Sequence, residues 1–269
     1  MTLTVPDYND LGFFFLILIT LGAYLCTVSR KDGLGVIKAA LRMVVQLALV
    51  GFILRYAIDA NSPIIVVTMV CIMLIAASRE VFVRQKNRNF GNIFIGGILP
   101  LVVVSCMFTA FALYLCLGVS PWYDIKTVIP LLGMILGNVL TCIAVTITLV
   151  NSGAEENAEK IEARLALGEP SQTAIQSVKM QALVVGLMIP LTNMLASSGI
   201  VILPGVMTGQ ILGGLSPIVA AKYQIFITLL IACSSATGAI LAAKITSQRL
   251  FDDRHRLKMS GTSFVPCSS

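Results

Sequence analysis

The chain has 269 residues, of which 57% fall in the AVILMFWYC set and only 12% are charged, and its mean hydropathy is +0.91. Soluble domains carry about 25% charged residues, so the composition excludes a water-soluble globular domain and indicates a polytopic membrane protein. The net charge of +6 sits in short basic clusters beside apolar segments, which points to orientation in a lipid bilayer and not to nucleic acid.

The N-terminal MTLTVPDYNDLGFFF lacks the basic stretch of a cleaved signal peptide, so the first apolar run is expected to be retained. At about 20 apolar residues per crossing, spans are predicted over 11–29, 39–58, 62–79, 92–117, 127–150, 182–202 and 219–243. The positive-inside rule places three clusters in the cytoplasm: Arg30, Lys31 and Lys38; Arg79, Arg84, Lys86 and Arg88; and Lys244, Arg249, Arg254, Arg256 and Lys258. Opposite them, the loops at 58–62 and 118–126 carry Asp59, Trp122, Tyr123, Asp124 and Lys126, a sparse aromatic composition that suits the outer interface. The expected fold is therefore an all-α polytopic membrane protein of about seven transmembrane helices, N-out and C-in, forming one domain with a disordered tail over 257–269.

The segment 203–217 is apolar yet broken by Pro204, several glycines and Pro217. A full span there would carry the basic tail outside, so a short helix or re-entrant segment before the last helix is expected. Gly205, Gly209 and Gly213 recur every fourth residue, and Gly133 and Gly137 make a second GxxxG pattern. Both predict helix packing through close backbone approach. Seven cysteines at 26, 71, 106, 116, 142, 233 and 267 form no CxxC pair and suggest neither a disulfide framework nor a zinc site.

The interval 151–181 is the only long polar stretch between two spans. Ala158, Ile161 and Leu165 at helical spacing predict a short amphipathic helix, with Glu156 and Lys160 placed to pair four apart. Gly168 is placed to end it in a left-handed cap, Pro170 to prevent continuation, and Ser171 or Thr173 to cap a second helix. Such a unit suits docking into a groove on a soluble partner; a plain interfacial surface helix is the competing reading.

Several polar groups fall inside predicted spans. Arg42 and Gln46 stand one turn apart, where Arg42 either snorkels to the interface or anchors a gate. Asn138 and Thr141 share a face, and Asn193 follows Pro190; these either line a pathway or bond between helices. Gln210, Lys222 and Gln224 cluster around the broken segment, and Met134, Met188, Met194 and Met207 offer soft sulfur to a metal ion, although methionine is usually core filler. The sequence lacks Walker A, HExxH and GxSxG motifs and has one histidine, His255, so an NTPase, zinc protease or serine hydrolase has no support, and a transporter subunit, not an enzyme, is expected. No acidic residue stands mid-span and no convincing inverted repeat is visible, which disfavours an ion-coupled carrier.

Two resemblances add to this reading. Glu162 to Gly168 resembles the E-A-A-x-x-x-G loop with which many ABC permeases grip their ATPase, with Arg164 in place of the second Ala. VIPLLGMILGN (128–138), IEARLALG (161–168), LPGVMTGQILGGLSP (203–217), KYQIFITLLI (222–231) and the R-x-x-x-Q-L of Arg42 to Leu47 resemble the FetB-type permeases over about residues 11–256. That family includes a bacterial iron exporter and plant aluminium-tolerance permeases. The resemblance implies a permease of the bacterial inner membrane that works as a homodimer with a separate ATPase. ATP and magnesium would then sit on the partner and no cofactor on this chain. It also implies an ATPase-coupling role for Ile161, Glu162, Ala163, Leu165, Leu167 and Gly168. Iron export leads among its substrates, with a nucleotide sugar second; a non-transporting membrane scaffold for an ATPase is the rival from another class.

Overall fold

The computed structural model describes residues 8–60, 62–85, 93–116, 118, 121–200, 202–252 and 257. Lys86, Arg88, Arg254, Arg256 and Lys258 from the basic clusters, and the expected disordered tail from 258 onward, lie outside the described residues. Among those described, helices joined by short connections make up the fold, with isolated bridge contacts and no strand. Among the described residues, six helices are long and apolar enough to cross a membrane, and Gly12–Thr27 is a shorter apolar one. Contacts gather in two compact units, Met1–Ser62 and Pro63–Ser269.

The first unit is a helix pair, α1 (Tyr8–Val28) and α2 (Arg30–Ala60). They close on each other through glycines. A Cβ at Gly22 would stand 2.6 Å from Ile37 Cγ1, and Gly33 packs directly on Cys26 and on the Gly22 carbonyl. Most of α2 beyond that contact is exposed within this unit.

The second unit begins with α3 (Pro63–Arg84), whose first residue is a proline, tolerated there because the first turn needs no N–H partner. Next comes α4, in which the α-helical Leu99–Phe111 is flanked by π-helical turns over Phe94–Ile98 and Ala112–Cys116. Helix α5 (Ile125–Glu156) runs unbroken through Pro130 for 32 residues. Two short helices follow, α6 (Ala158–Ala166) and the single turn α7 (Ser171–Ala174). Helix α8 spans Gln176–Leu183, a π-helical turn over Val184–Met188, and Ile189–Ser197. Helix α9 (Gly205–Leu212) is short, and α10 (Pro217–Arg249) has 33 residues. At eight residues, α9 is about 12 Å long, far less than the roughly 30 Å hydrocarbon core. It is the short helix expected over 203–217, not a further span.

The core is the α5–α10 pair. From α5 come Ile135, Val139, Ile143, Ile147 and Val150; from α10 come Ser235, Gly238, Ala239, Ala242 and Ala243. Branched side chains on one helix fill the groove left by small ones on the other, and a Cβ at Gly238 would stand 2.9 Å from Val139 Cγ1. Val150, Ala182 and Ala243 cluster together, Gln85 Nε2 donates to the Ala144 carbonyl at 3.2 Å, and Gly96 abuts Thr246. These contacts bring the C-terminal ends of α3, α5 and α10 and the N-terminal ends of α4 and α8 to one end of the unit, where α6 and α7 also lie.

Two of the π-helical turns are a matched pair. Phe94–Leu101 reads FIGGILPL and Val184–Leu191 reads VVGLMIPL, each with a glycine four residues before a proline. Pro100 and Pro190 have no N–H to give, so the helical ladder opens ahead of them and takes in an extra residue. The glycine then admits a neighbouring helix: a Cβ at Gly96 would stand 2.8 Å from Thr246 Oγ1 on α10, and one at Gly186 would stand 2.7 Å from Thr146 Oγ1 on α5. The π-helical turn ahead of Pro190 and its counterpart ahead of Pro100 are direct, not inverted, repeats of the same device.

Candidate functional site

The polar interval folds as a compact hairpin at the shared end. Asn157 separates α5 from α6, its backbone at φ −105° and its Nδ2 donating to the Gly153 carbonyl at 2.9 Å. Glu156 and Lys160 therefore fall on either side of a break and do not form the intrahelical pair that their spacing suggests. Helix α6 ends as expected: Gly168 has φ +89°, the Glu169 N–H donates to the Arg164 carbonyl at 3.1 Å, and the Gly168 N–H donates to that of Leu165 at 3.0 Å. This double bond pattern needs the left-handed residue that glycine provides. Pro170 holds the next cap position without a side-chain cap bond, so Ser171 and Thr173 lie within the following turn and do not cap it.

The apolar face of α6 is directed into the chain itself. Ile161, 2% exposed, packs with Ala154, Ala174, Ile175, Val178 and Phe251, and Leu165 lies against that cluster. These two coupling candidates hold the hairpin together and offer little to a partner. Glu162, Ala163 and Gly168 are exposed, and Leu167 is 85% exposed, a large apolar side chain at the tip. Phe251, just beyond α10, ties the hairpin to the end of the last helix. Nothing in its sequence surroundings marks that role.

At the other end of α10, Ser198, Gly199, Leu203 and Pro204 together with α9 fold against α8 and α10 to form a cavity of about 470 Å³. Gly199, at φ +94°, makes the turn, and the Ser198 hydroxyl donates to the Met194 carbonyl at 2.6 Å. Gln224 and Met207 line this cavity. Gln210, next door on α9, has a buried Oε1 without a hydrogen-bond partner in the protein. Lys222 is exposed one residue beyond the lining.

The remaining candidates are dispersed. Arg42 and Gln46 lie on the exposed part of α2, in the first unit. Asn138 and Thr141 share an exposed face of α5, where Asn138 Nδ2 donates to the Met134 carbonyl and Thr141 Oγ1 to that of Gly137, both at 2.8 Å. Both of these bonds lie within the side chains' own helix. Asn193 is exposed on α8. Met134 and Met194 are half-buried, Met188 is exposed, and of the four methionines only Met207 lines the cavity. Among the described residues, no three His, Cys, Asp or Glu side chains gather as a metal site.

The glycine patterns read from sequence make few close contacts within this chain. Gly133 would place a Cβ 3.4 Å from the Met73 methyl, whereas Gly137, Gly205 and Gly209 meet nothing within 4 Å and Gly213 meets only carbonyls of its own helix. Within the second unit the closest approaches are instead at Gly96, Gly153, Gly186 and Gly238. The seam on α10 carries no GxxxG pattern because serine and alanine do there what that pattern assigns to glycine.

With the hairpin and bundle described, comparison with other proteins places the chain. The model of a family described as "Uncharacterised protein family (UPF0014)" matches residues 9–251. The chain belongs to the UPF0014 family. A relative named UPF0014 membrane protein YjkA, from Bacillus subtilis, is 30% identical over 94% of this chain and 99% of its own length. The probable iron export permease protein FetB of Escherichia coli is 25% identical over 86% of this chain and 88% of its own. The protein ALUMINUM SENSITIVE 3 of Arabidopsis thaliana is 31% identical over 78% and 72%. These are the relatives that the FetB-type motifs anticipate. No solved structure matches the chain. Family membership and the apolar helices agree that this UPF0014 chain is a multi-pass membrane protein.

Proposed function

We propose that the chain is the membrane-spanning permease subunit of an ATP-driven transporter of the ABC type. A separate ATPase, carrying ATP and magnesium, docks on the α6–α7 hairpin from the cytoplasm. The observation that carries this reading is the hairpin's division of labour. Its apolar face is buried against Ala154, Val178 and Phe251, which fixes it to α5, α8 and the end of α10, while Glu162 and Leu167 are left free at the tip. A protruding helix end with one large apolar side chain and flanking charges suits insertion into a groove.

The basic clusters favour a cytoplasmic position for the hairpin end and a bacterial inner membrane as the setting. The open glycines Gly137, Gly205 and Gly209 support a homodimer, since a second backbone has room to approach there. Arg42 and Gln46 would gate the inner end, and Asn138, Thr141 and Asn193 would face the pathway. The Gly-x-x-x-Pro turns in α4 and α8 are the places where these helices flex as the ATPase closes. The cargo leading this proposal is iron, on the strength of the Escherichia coli relative's name.

The test is uptake of ferrous iron into inverted membrane vesicles containing this chain and its ATPase, with and without ATP and with Glu162→Lys. Uptake that requires ATP and falls at least tenfold in the variant supports the proposal. A stable complex with the ATPase but no iron uptake keeps the permease, removes iron, and turns the assay to a nucleotide sugar. Iron uptake that ignores both ATP and the variant overturns the coupling role.

A further inference from the structure

We propose that the cavity between α8, α9 and α10 is a binding site for an uncharged membrane lipid that carries a free hydroxyl group. Its volume, about 470 Å³, falls in the range of roughly 300–1,000 Å³ that small organic ligands occupy. Leu195, Leu203, Pro204, Met207, Ile225 and Leu229 supply the apolar wall, and no charged side chain lines it. A metal cation, a phosphate or a carboxylate would be desolvated there without compensation, so the fitting ligand is neutral.

The polar groups narrow it further. Gln224 Nε2 donates to Thr228 Oγ1 at 3.0 Å, and the Gln224 Oε1 atom is buried with no hydrogen-bond partner in the protein. The Ser198 hydroxyl proton is already committed to the Met194 carbonyl. The unmet need is therefore an acceptor awaiting a donor, and a buried acceptor without one is costly. A hydroxyl supplies that donor without bringing charge.

Access argues for a lipid. The cavity lies between the C-terminal end of one apolar helix, Gln176–Ser197, and the first turns of another, Pro217–Arg249. One wall is the irregular backbone at Ser198, Gly199, Leu203 and Pro204, where the Gly199 N–H donates to the Ile202 carbonyl and the Ile202 N–H to that of Ser197, so these polar groups are met within the chain. A ligand reaching this site from the bilayer arrives with an acyl chain for the apolar wall and a headgroup for Gln224. The inference is independent of whether an ATPase drives the protein.

The experiment uses the full chain in liposomes containing a monoacylglycerol with a diazirine in its acyl chain. Irradiation is followed by peptide mapping and by melting measurements with and without monooleoylglycerol. Labelling concentrated in residues 195–229 and reduced at least tenfold by Ala221→Trp, which fills the cavity, is expected. Gln224→Leu should melt no lower than the wild type yet label five- to tenfold less, and the methyl-ether analogue should label the wild type as weakly as that variant. Monooleoylglycerol should raise the melting temperature of the wild type and not of Gln224→Leu. Equal labelling of wild type and Gln224→Leu, labelling spread over all the apolar helices, or indifference to the hydroxyl overturns the proposal; Gln224→Leu decides it even if Ala221→Trp fails to fold.

Discussion

The segments on either side of α8 are built with the same backbone device and put to opposite uses. Helix α6 has nine residues and α9 has eight. Gly168 and Gly214 end them at φ +89° and +95°. In each, two N–H groups turn back to the last carbonyls, Glu169 to Arg164 and Gly168 to Leu165 in one, Leu215 to Gln210 and Gly214 to Ile211 in the other. A proline follows two or three residues later. Yet α6 buries Ile161 and Ala158 in a local core, whereas α9 has no buried residue and open glycines. Turn chemistry sets the path of the chain, and the side chains on the helix face decide whether the segment is finished by its own protein or left for something else.

The largest expected effect of breaking that contrast is at Ile161. Replacing it with Ala removes the centre of the hairpin core and should destabilise the protein by about 2–5 kcal/mol, while Leu212→Ala on the exposed side of α9 should change stability by less than about 0.5 kcal/mol. Thermal unfolding of the purified protein in detergent separates the two. Next comes α8, which runs between the segments. Gly186→Ala sets a methyl against the Thr146 hydroxyl and backbone, a cost of about 1–3 kcal/mol. Gly96→Ala meets chiefly the Thr246 hydroxyl and should be largely rescued by Thr246→Ala. A double-mutant cycle measures that coupling.

Smaller again, Gly168→Ala and Gly214→Ala each force a side chain into the left-handed region and should cost about 1–2 kcal/mol. Similar losses would show that the two stops are the same device, and a loss at only one would show that they are not. The smallest effect is Gly209→Ala. With nothing within 4 Å and a helix propensity gain of about 1 kcal/mol, it should leave the monomer no less stable. A fall in dimer content in the same sample, read by light scattering, would assign the open glycines to contact between copies.

Much of this was legible in the sequence. Span positions follow from apolar runs, and the α6 stop follows from Gly168 and Pro170, because a glycine and a proline each constrain the backbone in ways independent of distant contacts. What the sequence hides is partner choice. Ile161 and Leu167 are both apolar residues of one short helix, and only the packing of Val178 and Phe251 shows that the first faces inward and the second outward. Gln85 illustrates the same limit. It sits among basic residues at the end of a span, yet it is 3% exposed and bonds to a carbonyl 59 positions away, a contact with no local signature. The twin turns at Gly96 and Gly186 did carry a signal, the shared spacing to a following Pro-Leu.

The central claim is that the exposed tip of α6 is what an ATPase grips. The most direct test is the affinity of the purified chain for its ATPase, comparing the wild type with Leu167→Asp. Leu167 is 85% exposed, so the substitution should leave the melting temperature unchanged. A drop in affinity of at least tenfold with an intact fold is the predicted result. Unchanged binding by a folded Leu167→Asp protein would contradict the account and leave the hairpin as a structural end-piece of the bundle.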